Sequence, residues 1–117
     1  MEEAFTHAAL GLMSVIAGRS KIEANEERTI SIRALDRENL LVRWLTEILY
    51  LSDAGKFLTA GARFDMISDT SLQATIVGQK YNPSTHTLSL DVKAITYHHV
   101  MVKKIDDCWI VRVFVDI

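Results

Sequence analysis

The sequence predicts an α+β domain in which two helices cover one face of a largely antiparallel sheet. Three observations carry this expectation. Two stretches have the 3.6-residue apolar period of amphipathic helices, the other runs alternate apolar and polar residues with a period of two, and the links between those runs are short. A chain of 117 residues is long enough for one domain with its own core and too short for two of ordinary size, so residues 1–117 form a single unit.

The first helix runs from Glu2 to Ala17, because Phe5, Ala8, Ala9, Leu12, Met13 and Ile16 recur on one helical face. Gly18 is its natural stop. Glu2 and Glu3 suit the positive end of the helix dipole, yet no Ser, Thr or Asp precedes them as a cap, so the start looks cut. "RTISIRAL", residues 28–35, alternates Ile30 and Ile32 against Thr29, Ser31 and Arg33, the pattern of a half-buried strand. Asp36 is the expected N-cap of the second helix, whose apolar stripe is Leu40, Leu41, Trp44, Leu45, Ile48 and Leu49; Arg43, Thr46 and Glu47 lie on the opposite face.

After Gly55 the period falls to two. "ARFDMI" and "LQATIVG" form a hairpin about the turn Ser68–Ser71, and the loop "QKYNPSTHT" holds the only proline. A long strand from Leu88 to Ile105, a two-residue turn at Asp106-Asp107 and a last strand from Trp109 to Ile117 complete the chain.

Composition excludes several classes. Apolar residues make up 49% and charged residues 24%, the balance of a folded globular protein. The formal charge of -2 gathers no nucleic acid by itself, and the nearest approach to a basic patch is Lys103-Lys104, so contact with RNA is expected only indirectly, through a partner. One cysteine, Cys108, permits neither an internal disulfide nor a thiolate cluster and is expected to be inert; cytoplasm is the default compartment. "AALGLMSVIAG" follows acidic residues and is shorter than the ~20 residues of a bilayer span, so no membrane association is expected.

No glycine-rich phosphate loop, HExxH, CxxC or nucleophile elbow occurs, and no catalytic residue is assigned. Chemistry is confined to the stretch "VKAITYHHV", residues 92–100, and the acidic C-terminus. With Asp106 and Asp107 as the turn, Ile105 faces Cys108, Asp116 lies opposite Tyr97 and Ile117 opposite Thr96; a loop two residues longer sets Asp116 opposite His99. Either register brings the Asp116 side chain and the Ile117 α-carboxylate beside "TYHH". Such oxygen donors suit a hard cation, Ca²⁺ or Mg²⁺, though two carboxylates are too few for a complete shell. Each feature also has a simpler account: a surface histidine pair, a solvated terminus, Lys93 snorkelling to solvent, and Glu47 in water.

"LLVRWLTEILYLSD", "YNPSTHTLSLDVKAITYHHV" and the ending "VRVFVDI" resemble the three characteristic stretches of the archease family, and "MEEAFTHAALGLMSVI" resembles its leading helix. The resemblance covers almost the whole chain in the right order. It implies a non-enzymatic activator of an RtcB-type RNA ligase of tRNA splicing and RNA repair, promoting GMP transfer to the ligase's histidine and multiple turnover. It further implies a divalent-metal site, Ca²⁺ with Mg²⁺ or Mn²⁺ as substitutes, that includes Asp116 and the Ile117 carboxylate. Lys93 matches the lysine of the family's "VKA" motif and His98 the histidine of its "TYH" motif, both expected to act on the partner; Glu47 is a further candidate, and His99 carries little weight. The family's leading "H-x-A-D-x-G" strand has no counterpart here, so the domain is expected to be N-terminally shortened, to bind metal more weakly and to tend to dimerise through a vacated sheet edge. The other readings are a metal-dependent enzyme using Asp116, His98 and Lys93, and a chaperone-like interaction domain.

Overall fold

The computed structural model describes all residues 1–117. Its elements are α1 (Glu2–Ala17), β1 (Glu26–Arg33), α2 (Arg37–Asp53), β2 (Phe57–Ile67), β3 (Ser71–Lys80), β4 (Ala94–Ile105) and β5 (Cys108–Asp116). The α+β class follows the sequence, but the strands divide between two antiparallel sheets, β1-β3-β2 and β4-β5, rather than forming one. α1 touches β2 and β5, and α2 touches β1, β2 and β4, so the helix pair bridges the two sheets.

The core forms where the helical stripes meet the three-stranded sheet. Phe5, Leu40, Leu41, Trp44, Leu45, Ile48, Phe57, Leu72 and Ile76 are buried, and fully burying a large apolar side chain contributes about 1.5–3 kcal/mol. Trp44 sits at the centre: its ring lies 6.4 Å from Phe5 and 5.1 Å from Phe64, and its Nε1–H donates to the Phe5 carbonyl at 2.9 Å. The indole is thereby buried without an unpaired donor. β1 registers on β3 with Ile30 opposite Ala74 and Ile32 opposite Leu72, while two bulges interrupt β2 against β3. At Gly78 the strands approach so closely that a Cβ would lie 2.0 Å from the Leu58 carbonyl oxygen.

α2 begins as expected. Asp36 accepts the Asn39 N–H at 2.8 Å, and Asn39 Oδ1 in turn accepts the Leu35 N–H at 3.0 Å. α1 starts at Met1 with no side-chain cap.

The expected strand start at Leu88 is corrected: β4 begins at Ala94. The reason lies at the end of α1, whose last four carbonyls need donors. Gly18 N–H reaches the Ser14 oxygen and Ser20 N–H the Ala17 oxygen, while Leu90 and Ser89 donate to Val15 and Ile16 at 3.2 and 2.7 Å. Residues 88–90 therefore serve as a helix cap and not as a ladder. Just before them His86, almost wholly buried, accepts the Asn82 N–H on Nδ1 at 2.9 Å, which leaves Nε2 to donate toward the Lys21 carbonyl and Gln79 Oε1, both at 3.1 Å. This imidazole fixes the proline loop.

The C-terminal corner as candidate functional site

The β4–β5 turn is the two-residue one expected, with Asp106 and Asp107 both left-handed at φ 49° and 65° and Ile105 opposite Cys108. The ladder keeps that register as far as Met101 opposite Arg112 and then breaks. Thr96 pairs with Phe114, so the four residues Tyr97–Val100 oppose Val113 alone. Asp116 consequently lies opposite Ala94, not opposite Tyr97 or His99, and both sequence-based registers are corrected by this bulge.

Three tethers hold the bulge open. Tyr97 Oη accepts from Asn39 Nδ2 at the start of α2, the His98 N–H reaches Thr96 Oγ1 at 3.2 Å, and Arg112 Nε donates to the His99 carbonyl at 2.9 Å. His99 takes φ 53°, a left-handed conformation that is costly for a residue with a Cβ and persists only where surroundings enforce it. The His98 and His99 rings, 4.1 Å apart, lie within about 6 Å of the Phe114 ring on the exposed face of the sheet. Asp116 follows Phe114 on that same face, roughly 7 Å further along the strand.

The three-residue slip has its main effect at Lys93. Its N–H donates to the Asp116 carbonyl at 2.7 Å, so the ladder runs one residue beyond β4 and sets Lys93 beside the chain end. Lys93, Asp116 and Ile117 are all exposed, and none of the chain's four ion pairs involves the Lys93 ammonium or the Asp116 carboxylate. The main chain at Lys93 thus runs beside the acidic chain end, with the Lys93 and Asp116 side chains both exposed. Glu47 is not brought there; it remains half-buried on α2 without a hydrogen-bond or ion-pair partner. Cys108 is exposed beside the turn.

The donors do not amount to a complete metal shell. No three His, Cys, Asp or Glu side chains stand close enough to share an ion, and Ca²⁺ takes six to eight oxygens. Asp116 and the terminal carboxylate supply an open edge of a site at most. Arg112, Phe114 and Asn39 escaped the sequence reading, although the alternation of "WIVRVFVD" already puts Arg112 and Phe114 on the face of Asp116. Asn39 gave no such sign, since its partner lies 58 residues away. No helix is long and apolar enough to cross a membrane.

The comparisons with known proteins agree with this architecture. Residues 1–117 match the model of the Archease protein family (MTH1598/TM1083). The chain is 38% identical over 120 residues to the protein archease of Saccharolobus islandicus, covering 100% of this chain and 85% of that one. It is 32% identical over 121 residues to the protein archease of Methanosarcina acetivorans, covering 100% and 83%. The solution structure of Methanobacterium thermoautotrophicum protein 1598 superimposes with a TM-score of 0.76 at 32% identity, over 99% of this chain and 84% of that one. With the family model matched from end to end, and sequence and fold in accord, the chain belongs to the archease family.

Proposed function

We propose that this protein is a non-enzymatic accessory factor of an RtcB-type RNA ligase, acting in the cytoplasm on tRNA splicing or RNA repair. It promotes guanylylation of the ligase and its repeated turnover, and meets RNA only through the ligase. The observation that carries this reading is the hydrogen bond from Lys93 N–H to the Asp116 carbonyl, which gathers the motif lysine and the acidic terminus into one exposed corner. Family membership supports an RNA ligase as the partner. In this reading Lys93 and His98 face the ligase, Lys93 as a compact cation able to meet a carboxylate or phosphate.

A divalent ion, Ca²⁺ in the first place with Mg²⁺ or Mn²⁺ as substitutes, belongs to the proposal as a ligand of Asp116 and the Ile117 carboxylate. Because these two donors fall short of a shell, water and ligase groups complete it, and the isolated chain binds the ion weakly. Isothermal titration with Ca²⁺ checks this: weak heats that vanish in Asp116→Ala fit, and binding unchanged in that variant rules the corner out as the ligand.

The decisive assay mixes the protein with its cognate ligase, GTP and Mn²⁺ and follows transfer of labelled GMP to the ligase. Acceleration by the native chain, lost in Lys93→Ala, is the expected result. No acceleration by a folded chain refutes the reading, and GMP or phosphate release by the chain alone favours the metal-dependent enzyme instead.

A further inference from the structure

A cavity of about 340 Å³, within the size range of ligand sites, opens where the two helices end. It is lined by Ile16 in the last turn of α1, roughly 22 Å along that helix from Met1, and by residues between 52 and 92. The helices finish differently. Ser89 and Leu90 donate to carbonyls in the last turn of α1, whereas no backbone N–H reaches the carbonyls of Leu51, Ser52 and Asp53, so α2 brings an uncapped negative end to the cavity. Asp53 and Asp91 add two carboxylates, and Lys56, which lines the same cavity, forms an ion pair with neither. Ser52 is only 9% exposed, yet its hydroxyl makes no hydrogen bond within the chain. It is not sealed in as Thr59 Oγ1 is, and it opens into the cavity unpaired.

We propose that this cavity receives an arginine side chain presented by a segment of a partner protein, with apolar residues on either side of the arginine. The inference does not rest on the ligase reading. Charge selects a cation, because two carboxylates and a helix C-terminus outweigh one ammonium, and the cavity offers acceptors that lack donors. Arginine suits this set. Its five N–H groups serve several acceptors at once, its planar head fits against the Tyr81 ring, which is fixed by stacking on His86, and its aliphatic stem suits the apolar wall of Ile16, Leu58 and Val92. The rim distinguishes a polypeptide from a free cation. Leu88 and Leu90 are 51% and 48% exposed at the mouth, and the bonds from Ser89 and Leu90 to α1 hold their backbone in place. A small cation leaves both leucines wet, whereas apolar residues beside an arginine cover them.

Titration of the isotope-labelled chain with the peptide acetyl-Leu-Arg-Leu-amide, followed by amide chemical shifts, tests the proposal. Shifts are expected at residues 52–58, 81 and 88–92. Affinity should fall about tenfold or more when citrulline, the neutral isostere, replaces the arginine, and likewise in Asp53→Asn/Asp91→Asn. Leu88→Ser/Leu90→Ser should weaken the peptide and leave N-acetylarginine amide, the cation without its flanks, unaffected. All four substituted residues are exposed, and the spectrum of each variant verifies that it folds. No shifts at millimolar peptide, a citrulline peptide bound equally well, or affinity indifferent to the two Asp→Asn changes overturns the proposal. N-acetylarginine amide bound as tightly as the peptide overturns the partner segment, since the site would then be one for a free cation.

Discussion

β3 and β5 are both rich in apolar residues, yet their surroundings are opposite. β3 is the central strand of its sheet and buries Leu72, Ala74 and Ile76 beneath the helices; β5 is an edge strand and buries no residue fully. Of the 23 residues in the apolar core, β4 and β5 together supply only Ile95 and Val102. The difference separates two tasks. The helices and the three-stranded sheet hold the fold, while the hairpin is stapled to them and spends its residues on an exposed corner. Such weakly packed elements are where binding surfaces are drawn from.

The contrast can be broken most forcefully at Trp44. Trp44→Ala removes the central ring and the indole's hydrogen bond to the Phe5 carbonyl, and should cost about 3–5 kcal/mol in urea unfolding. A loss like that of a surface site would mean the core is not centred there. Gly78→Ala comes next: its Cβ meets the backbone oxygen of Leu58 and not a movable side chain, so a cost at or above the usual overpacking range of about 1–3 kcal/mol is expected, with a lower midpoint at unchanged m-value.

The joint between the halves is Asn39, which holds Leu35 on one side and the Tyr97 phenol on the other. Asn39→Ala should cost about 1 kcal/mol and speed amide exchange across residues 97–100 more than in β3. Uniform exchange rates would show that the two halves open together. Lys93→Ala sharpens the comparison from the other end. It should shift stability by no more than about 0.5 kcal/mol, as for an exposed residue, while abolishing stimulation of ligase guanylylation. A variant that keeps full stimulation would move the working surface away from this corner.

The hairpin also shows where sequence reasoning stopped. Asp106-Asp107 was legible as a tight turn because two short polar residues tolerate left-handed backbone, and the pairing near the turn followed from it. Beyond Met101 the same counting failed by three residues. Nothing local in "TYHHV" announces a bulge; it exists because Asn39 of α2 captures Tyr97 and Arg112 captures the His99 carbonyl. The strand expected from Leu88 failed for a related reason, since its backbone donors were taken by the carbonyls ending α1.

By itself the sequence determined the two helices, the Asp36 cap, the hairpin turns and, through its motifs, the archease family, because periodicity, capping and turn chemistry are settled among near neighbours. Only the tertiary structure decided that the strands part into two sheets, and that Lys93 rather than Tyr97 or His99 pairs with the main chain at Asp116. The physical reason is that register is a relation between strands. A bulge moves every later pairing, and whether one forms depends on hydrogen-bond partners that the fold brings from far along the chain.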